Sequence, residues 1–352
     1  MYSDININEA CRIISTNVTG SKTLILMHTN PDGDAVGSAF ALKILIESMG
    51  GDALCVCADE AHNRLKFLYC GQETCEITEE TDVVSLVSAA DRIIAVDVAS
   101  PNQLGKIREF FDGKIELSID HHTIGEAVGP RLIDESAAAA GELVFDVSKH
   151  LKIDTQLLKE RGFYERVYAA ISSDTGCFKY TNATPSVYRK AAEILETGID
   201  IYEVNGKLFD SMSQDEVRAV LMTYEHRQSH CDGKISSILI TRDLIEEYNL
   251  VDKSTGSIVD TVRSIEGVWV GVTVRQTKDD PTVFRVSSRA NIDINVSEVC
   301  KKFGGGGHIR AAGCSISAKT PREAYDTIIS AFTEKVNEKI KQTEISEANE
   351  NG

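Results

Sequence analysis

Three apolar runs in the first part of the chain, Thr23–Met27, Arg92–Val98 and Lys114–Ile119, end in or carry ligand-type side chains. The first runs into His28-Thr29-Asn30-Pro31-Asp32-Gly33-Asp34. The second carries Asp97, and the third leads straight into Asp120-His121-His122. Short apolar runs of this kind read as buried strands. A helical pattern over 35–49, stopped by Gly50-Gly51, precedes a further strand at 53–57. Helical segments follow near 61–69, 79–89 and 103–111. Strand and helix in alternation predict an α/β domain with a largely parallel sheet. In such a sheet ligands gather beyond the carboxyl ends of the strands. That rule brings all three sets of Asp and His to one edge, which constrains the chain more than any single motif.

The rest of the first domain adds a fourth acidic position. An opening helix is expected at 6–18, a capped helix at 134–150, and a helix from Thr184 to about Glu196 that ends at Gly198. The helix Phe163–Ser172 delivers Ser173-Asp174-Thr175-Gly176. In the first loop Gly33 lets the backbone fold tightly enough for two carboxylates to converge. A plain turn with Asp34 capping the next helix would use the same residues. The ligand candidates are His28, Asp32, Asp34, Asp97, His121 and Asp174. One ion does not need four carboxylates and two imidazoles; two divalent ions sharing a bridging carboxylate do. Mixed oxygen and imidazole ligation suits manganese better than magnesium or calcium, with iron, cobalt or zinc also admissible. Two metals suit phosphate-ester hydrolysis, clamping the phosphate oxygens and turning a bridging water into hydroxide.

The second part is wired differently. A helix at 214–229 precedes a strand at Lys234–Thr241. A helical region near 254–265 is followed by Val268–Gln276 and Thr282–Ser288, which read as an antiparallel hairpin. A helix near 295–302 runs into Gly304-Gly305-Gly306-Gly307-His308. A strand near 313–317 and a helix over about 321–341 close a smaller α/β domain with a mixed sheet. The expected division is 1–198, a connection at 199–215, a second domain at 216–341, and a polar, disordered tail at 342–352.

Composition sets the limits. At 352 residues the chain is long enough for two cores. A net charge of −17 argues against coating long nucleic acid, which needs a basic face. Nine scattered cysteines, an odd number without a Cys-x-x-Cys pair, fit reduced cytoplasmic thiols. The N-terminus does not read as a signal peptide, and no apolar run reaches the roughly 20 residues of a membrane span.

Taken in order, His28–Ser38, Val96-Asp97, Asp120-His121-His122, Ser173–Gly176 and Gly304–His308 resemble the DHH phosphoesterase superfamily. The resemblance is to the branch with a DHH-associated C-terminal domain, and within it to the stand-alone nano-RNase type. It implies an enzyme acting on short oligoribonucleotides, releasing 5′-mononucleotides, and on 3′-phosphoadenosine 5′-phosphate, with substrate held between the domains. It implies one manganese on His28, Asp32 and Asp97, and a second on Asp34, Asp97, His121 and Asp174. Asp97 bridges, Asp120 orients an imidazole, and His122 faces the scissile phosphate. Gly305, Gly306, Gly307 and His308 are implied to bind substrate. Glycine amides can approach a phosphate closely, and His308 adds a donor. Arg289 offers a bidentate guanidinium to a terminal phosphate, and Arg310 is the weaker candidate. The resemblance also implies a homodimer. Where the family usually has an arginine after the bridging aspartate, Gln103 stands here. A cyclic-dinucleotide or linear-dinucleotide phosphodiesterase, a pyrophosphatase and a non-catalytic nucleotide sensor are the alternatives.

Overall fold

A computed structural model describes residues 3–69, 71, 74–122, 126–250 and 258–350, the last seven of them by their backbone. The chain divides into two compact units, Met1–Ser211 and Met212–Gly352. The division falls inside the segment expected to connect the domains.

The first unit holds a six-stranded parallel sheet. Its strands are β1 (Lys22–Leu26), β2 (Asp52–Cys57), β3 (Thr74–Glu76), β4 (Arg92–Val96), β5 (Leu117–Asp120) and β6 (Arg131–Ile133), in the order β3-β2-β1-β4-β5-β6. Both faces are covered. Leu24 and Leu26 of β1 pack into one apolar layer, while Ile25 and Met27 pack into the other. This is why the strands read as continuous apolar runs rather than alternating ones. The helix Gly33–Ser48 follows β1, and every residue from Gly33 to Ile46 is buried. Small residues let its neighbours approach. A Cβ on Gly37 would sit 2.6 Å from the Arg166 carbonyl oxygen, and one on Gly141 would sit 2.5 Å from Ala170 Cβ.

The second unit holds β7 (Gln228–His230), β8 (Ile235–Ile240), β9 (Val270–Gln276), β10 (Val283–Ala290), β11 (Gly306–His308) and β12 (Ala311–Ser317). Their order is β11-β12-β10-β9-β8-β7, with only β8 and β9 parallel. The β9–β10 hairpin lies where the sequence places it. The helix Pro321–Glu350 packs Ala324, Tyr325, Ile328 and Phe332 into the core of this sheet. Among the described residues, no helix is long and apolar enough to cross a membrane.

Several elements differ from expectation for local reasons. Helix does not start at 134 but at Ala140. Asp134 closes a turn on the Ser136 N–H and hydroxyl, and Glu142 reaches back to the Ala138 N–H at 2.6 Å. Residues 63–69 and 101–107 are 3₁₀ turns. β3, β6 and β7 are three-residue strands, too short to carry a pattern. The helix near 254–265 is seen as Ile258–Arg263, and positions 254–257 lie outside the described residues. Where disorder is expected from Gln342, the final helix continues to Glu350, because Lys, Gln, Glu and Ala there are good helix formers.

The glycine run is also not a free loop. Gly306–His308 is a strand paired with β12. A Cβ on Gly305 would lie 2.2 Å from the Gly313 carbonyl oxygen, and one on Gly307, at φ +136°, would lie 2.5 Å from that of Ala311. These two glycines are required by backbone meeting backbone. Gly306 has open space where its side chain would be.

Candidate metal centre

The helix Gly33–Ser48 begins earlier than the sequence suggests, and Asp32, not Asp34, caps it. The Asp34 and Ala35 amides donate to Asp32 Oδ1, both at 3.1 Å. Asp34 instead turns inward and is fully buried. Its carboxylate accepts from the Ala140 N–H at 2.6 Å, the Gly141 N–H at 3.0 Å and the Ser38 hydroxyl at 2.7 Å. The amides belong to the first residues of the helix Ala140–Leu151, where a helix favours negative charge.

Asp97 follows β4 in a left-handed conformation, φ +58°, which turns the chain sharply. The turn beyond it is closed by Gln103, whose Oε1 accepts from the Ala99 and Ser100 amides while its carbonyl accepts from the Thr29 N–H at 2.7 Å. Gln103 therefore joins the loop after β4 to the loop after β1. His28 is fixed by an Nδ1 contact to the Thr29 carbonyl at 2.8 Å. Its Nε2 faces Asp97 Oδ2 at 3.4 Å and Asp32 Oδ1 at 3.7 Å.

His121 Nε2 lies 3.6 Å from each of three carboxylates, those of Asp34, Asp97 and Asp174. Its Nδ1 faces the Ala137 carbonyl at 3.3 Å. Asp174 is the last residue of the helix Phe163–Asp174. Asp120 accepts from the amides of His121 and His122, and His122 Nδ1 sits 2.8 Å from the same oxygen. The Nδ1 side of the half-buried His122 ring is thereby committed to Asp120.

The structure thus brings all six candidate ligands together. His28, Asp32 and Asp97 form one group, and Asp34, His121 and Asp174 form another, with ligand atoms inside each group within 4.8 Å. Asp97 also groups with His121 and His122. Burial drives the Asp34 and Asp174 carboxyls well above the usual range, and neighbouring aspartates add to the rise. Burial opposes charging of His28, but Asp32 and Asp97 outweigh it and push the imidazole up to about 11. Burial likewise opposes ionisation of Asp32, and His28 with the helix amides holds it low. The Asp120 hydrogen bond raises His122. Asp97 Oδ1 and His121 Nε2 are buried without hydrogen-bond partners. Unpaired buried ligand atoms amid clustered carboxylates are what a divalent cation would satisfy, so the donor set fits one. Manganese at a hundred times its dissociation constant is expected to raise stability by about 2.7 kcal/mol. A melting curve that chelator and manganese leave unchanged would count against the site.

The remaining candidates lie in the second unit. The register pairs Arg289 with Ala311 and Ala311 with His308. Arg289 and His308 therefore share one cross-strand row and one face of the sheet, about 10 Å apart. Gly306 and Ser287 fall two positions along that face. Arg310 is exposed just before β12. What the sequence did not reveal are Ser38 and the amides of Ala140 and Gly141. Ser38 was findable, four residues beyond Asp34 on one helical face; the amides come from distant chain and leave no local signal.

Both parts of the chain match known families. Residues 22–171 match the DHH family, N-terminal domain, and residues 236–338 match the DHHA1 domain. The chain is 28% identical over 320 residues to the "Bifunctional oligoribonuclease and PAP phosphatase NrnA" of Thermus thermophilus, covering 89% of each. Among solved structures it resembles an exopolyphosphatase-related protein from Bacteroides fragilis, with TM-score 0.83 and 20% identity over 93% of this chain and 95% of that one. It also resembles RecJ in complex with Mn2+, again from Thermus thermophilus, with TM-score 0.52 and 14% identity over 92% of this chain and 53% of that one.

Proposed function

We propose, for a chain that is a DHH-family metal-dependent phosphoesterase carrying a DHHA1 domain, that its substrates are short oligoribonucleotides, cut to 5′-mononucleotides, and 3′-phosphoadenosine 5′-phosphate, converted to AMP. The observation that carries this reading is Asp97, whose two carboxylate oxygens face His28 in one ligand group and His121 in the other. His28, Asp32 and Asp97 would hold one divalent cation, and Asp34, Asp97, His121 and Asp174 a second, with manganese the ion best suited. Two cations held there would neutralise phosphate oxygens and make water a nucleophile near neutral pH.

The chain's own groups do the rest. Asp120 fixes the His122 ring through Nδ1 and both neighbouring amides, so Nε2 can donate to a phosphate oxygen or to the leaving group. Arg289 and His308, on one face of the second sheet, supply donors for a terminal phosphate, and Gly306 and Gly307 line the same segment, while the Gly305 N–H is committed to the Cys300 carbonyl. The acidic charge of −17 offers no track for long strands, which favours short substrates. Unpaired cysteines throughout the described residues support a reducing compartment such as the cytoplasm.

The test is a competition with manganese among 5′-phosphorylated diadenylate, a long single-stranded RNA, 3′-phosphoadenosine 5′-phosphate, cyclic di-AMP and pyrophosphate. The diadenylate and the bisphosphate nucleotide are expected to disappear first. Faster loss of cyclic di-AMP would replace this reading with a cyclic-dinucleotide phosphodiesterase, and no turnover at all would sink it. His122→Ala is expected to lower kcat by about 10²–10³-fold while leaving the manganese-dependent rise in melting temperature intact. Loss of that rise would move His122 into the ligand set.

A further inference from the structure

We propose that Cys300 and Cys314 are an oxidative modification site, a dithiol beneath the Gly305–His308 segment that closes to a disulfide and displaces that segment. Cys300 lies on the helix Val296–Lys301 and is fully buried; Cys314 lies on β12 and is half-buried. The Ser288 hydroxyl sits 3.6 Å from Cys300 Sγ, and the β10–β12 register puts Cys314 on the same face of the sheet as Ser288, two positions along, so the two cysteines gather at one spot.

Both cysteines hold the same glycine. The Gly305 N–H donates to the Cys300 carbonyl at 3.0 Å. On its other side Gly305 presses on Cys314, where an added Cβ would lie 2.4 Å from Cys314 Cβ. A disulfide needs its sulfurs about 2.05 Å apart, far closer than two thiols in non-bonded contact. The helix end and β12 must therefore draw together where Gly305 leaves no spare room. The relief is movement of the 305–308 segment. The consequence for substrate rests on the function proposed above; formation of the bond does not.

The oxidant is a peroxide. One sulfur, reached from the half-exposed Cys314 side, attacks the peroxide oxygen to give a sulfenic acid and one water. The other thiol then displaces the sulfenic hydroxyl as a second water and forms the S–S bond. Two thiols lose two electrons and two protons, and hydrogen peroxide is reduced to two waters. The pair is favoured over other thiols. The neighbouring Cys314 pulls the Cys300 thiol down to about 7 while Cys314 itself is pushed well up, which makes Cys300 the attacking sulfur; burial pushes Cys55 up to about 12 and Cys57 up to about 11.

The experiment treats the full-length, manganese-loaded protein with hydrogen peroxide, followed by dithiothreitol. Non-reducing peptide mass spectrometry reads the bond, and diadenylate kinetics read its effect. A Cys300–Cys314 cross-link is expected, with KM for diadenylate raised about tenfold by loss of charge-assisted contacts, restored by dithiothreitol and absent from Cys314→Ser and Cys314→Ala. Oxidation of other cysteines without this cross-link overturns the site. A cross-link that leaves KM unchanged overturns the displacement. Failure of the untreated protein to cleave diadenylate overturns the functional reading instead, and the cross-link then decides the site alone.

Discussion

Asp97→Asn is expected to lower phosphoesterase turnover on the order of 10³-fold, equivalent to about 4 kcal/mol of transition-state stabilisation. The substitution is chosen to spare the backbone. Asp97 sits at φ +58°, and asparagine is among the few side chains that tolerate that region. It keeps the shape of the side chain and removes the charge shared between the two ligand groups. Asp97 Oδ1 is buried, has no hydrogen-bond partner and lies 3.6 Å from His121 Nε2, while Oδ2 lies 3.4 Å from His28. Among the described residues, Asp97 is the carboxylate that pairs with both imidazoles. The manganese-dependent rise in melting temperature should shrink together with activity. Asp97→Asn with near-normal turnover would show that the two groups do not act through a shared carboxylate.

The second large effect concerns folding rather than chemistry. Gly37→Val is expected to cost about 3 kcal/mol, read as a lower urea midpoint. Replacing a helical glycine would ordinarily stabilise a helix, by up to about 1 kcal/mol for alanine. Here the new Cβ would meet the Arg166 carbonyl oxygen at 2.6 Å and the Ala170 nitrogen and Cβ at 3.0 Å. Two of these are backbone atoms and cannot rotate aside, so overpacking outweighs propensity. The same helices deliver Asp34 and Asp174, so manganese binding should weaken as well. An unchanged or higher midpoint would show that the helix pair can separate without penalty.

Much of the fold and candidate site is legible in the sequence because its signals are local. Apolar runs ending in His28, Asp97 and Asp120-His121-His122 mark strand ends, and the crossover rule for parallel sheets sends those ends to one edge. The glycine run is legible as special but not in its reason. Gly305 and Gly307 are needed because β11 lies against β12, a pairing invisible until the strands are placed. The polar end of the final helix reads as disordered because a solvated helix and a disordered segment share composition.

The sequence by itself determined which side chains can bind a cation and which strand ends carry them, since turn chemistry and strand periodicity act over a few residues. Only the tertiary structure decided how those side chains are held. Asp34 is fixed by amides more than a hundred positions away, at Ala140 and Gly141. Asp174 reaches His121 because Gly37 and Gly141 let three helices close on one another, and Gln103 ties two strand-end loops together. These choices depend on close packing between distant segments. Packing is set by the sum of many small contacts and leaves no pattern in any one stretch of chain.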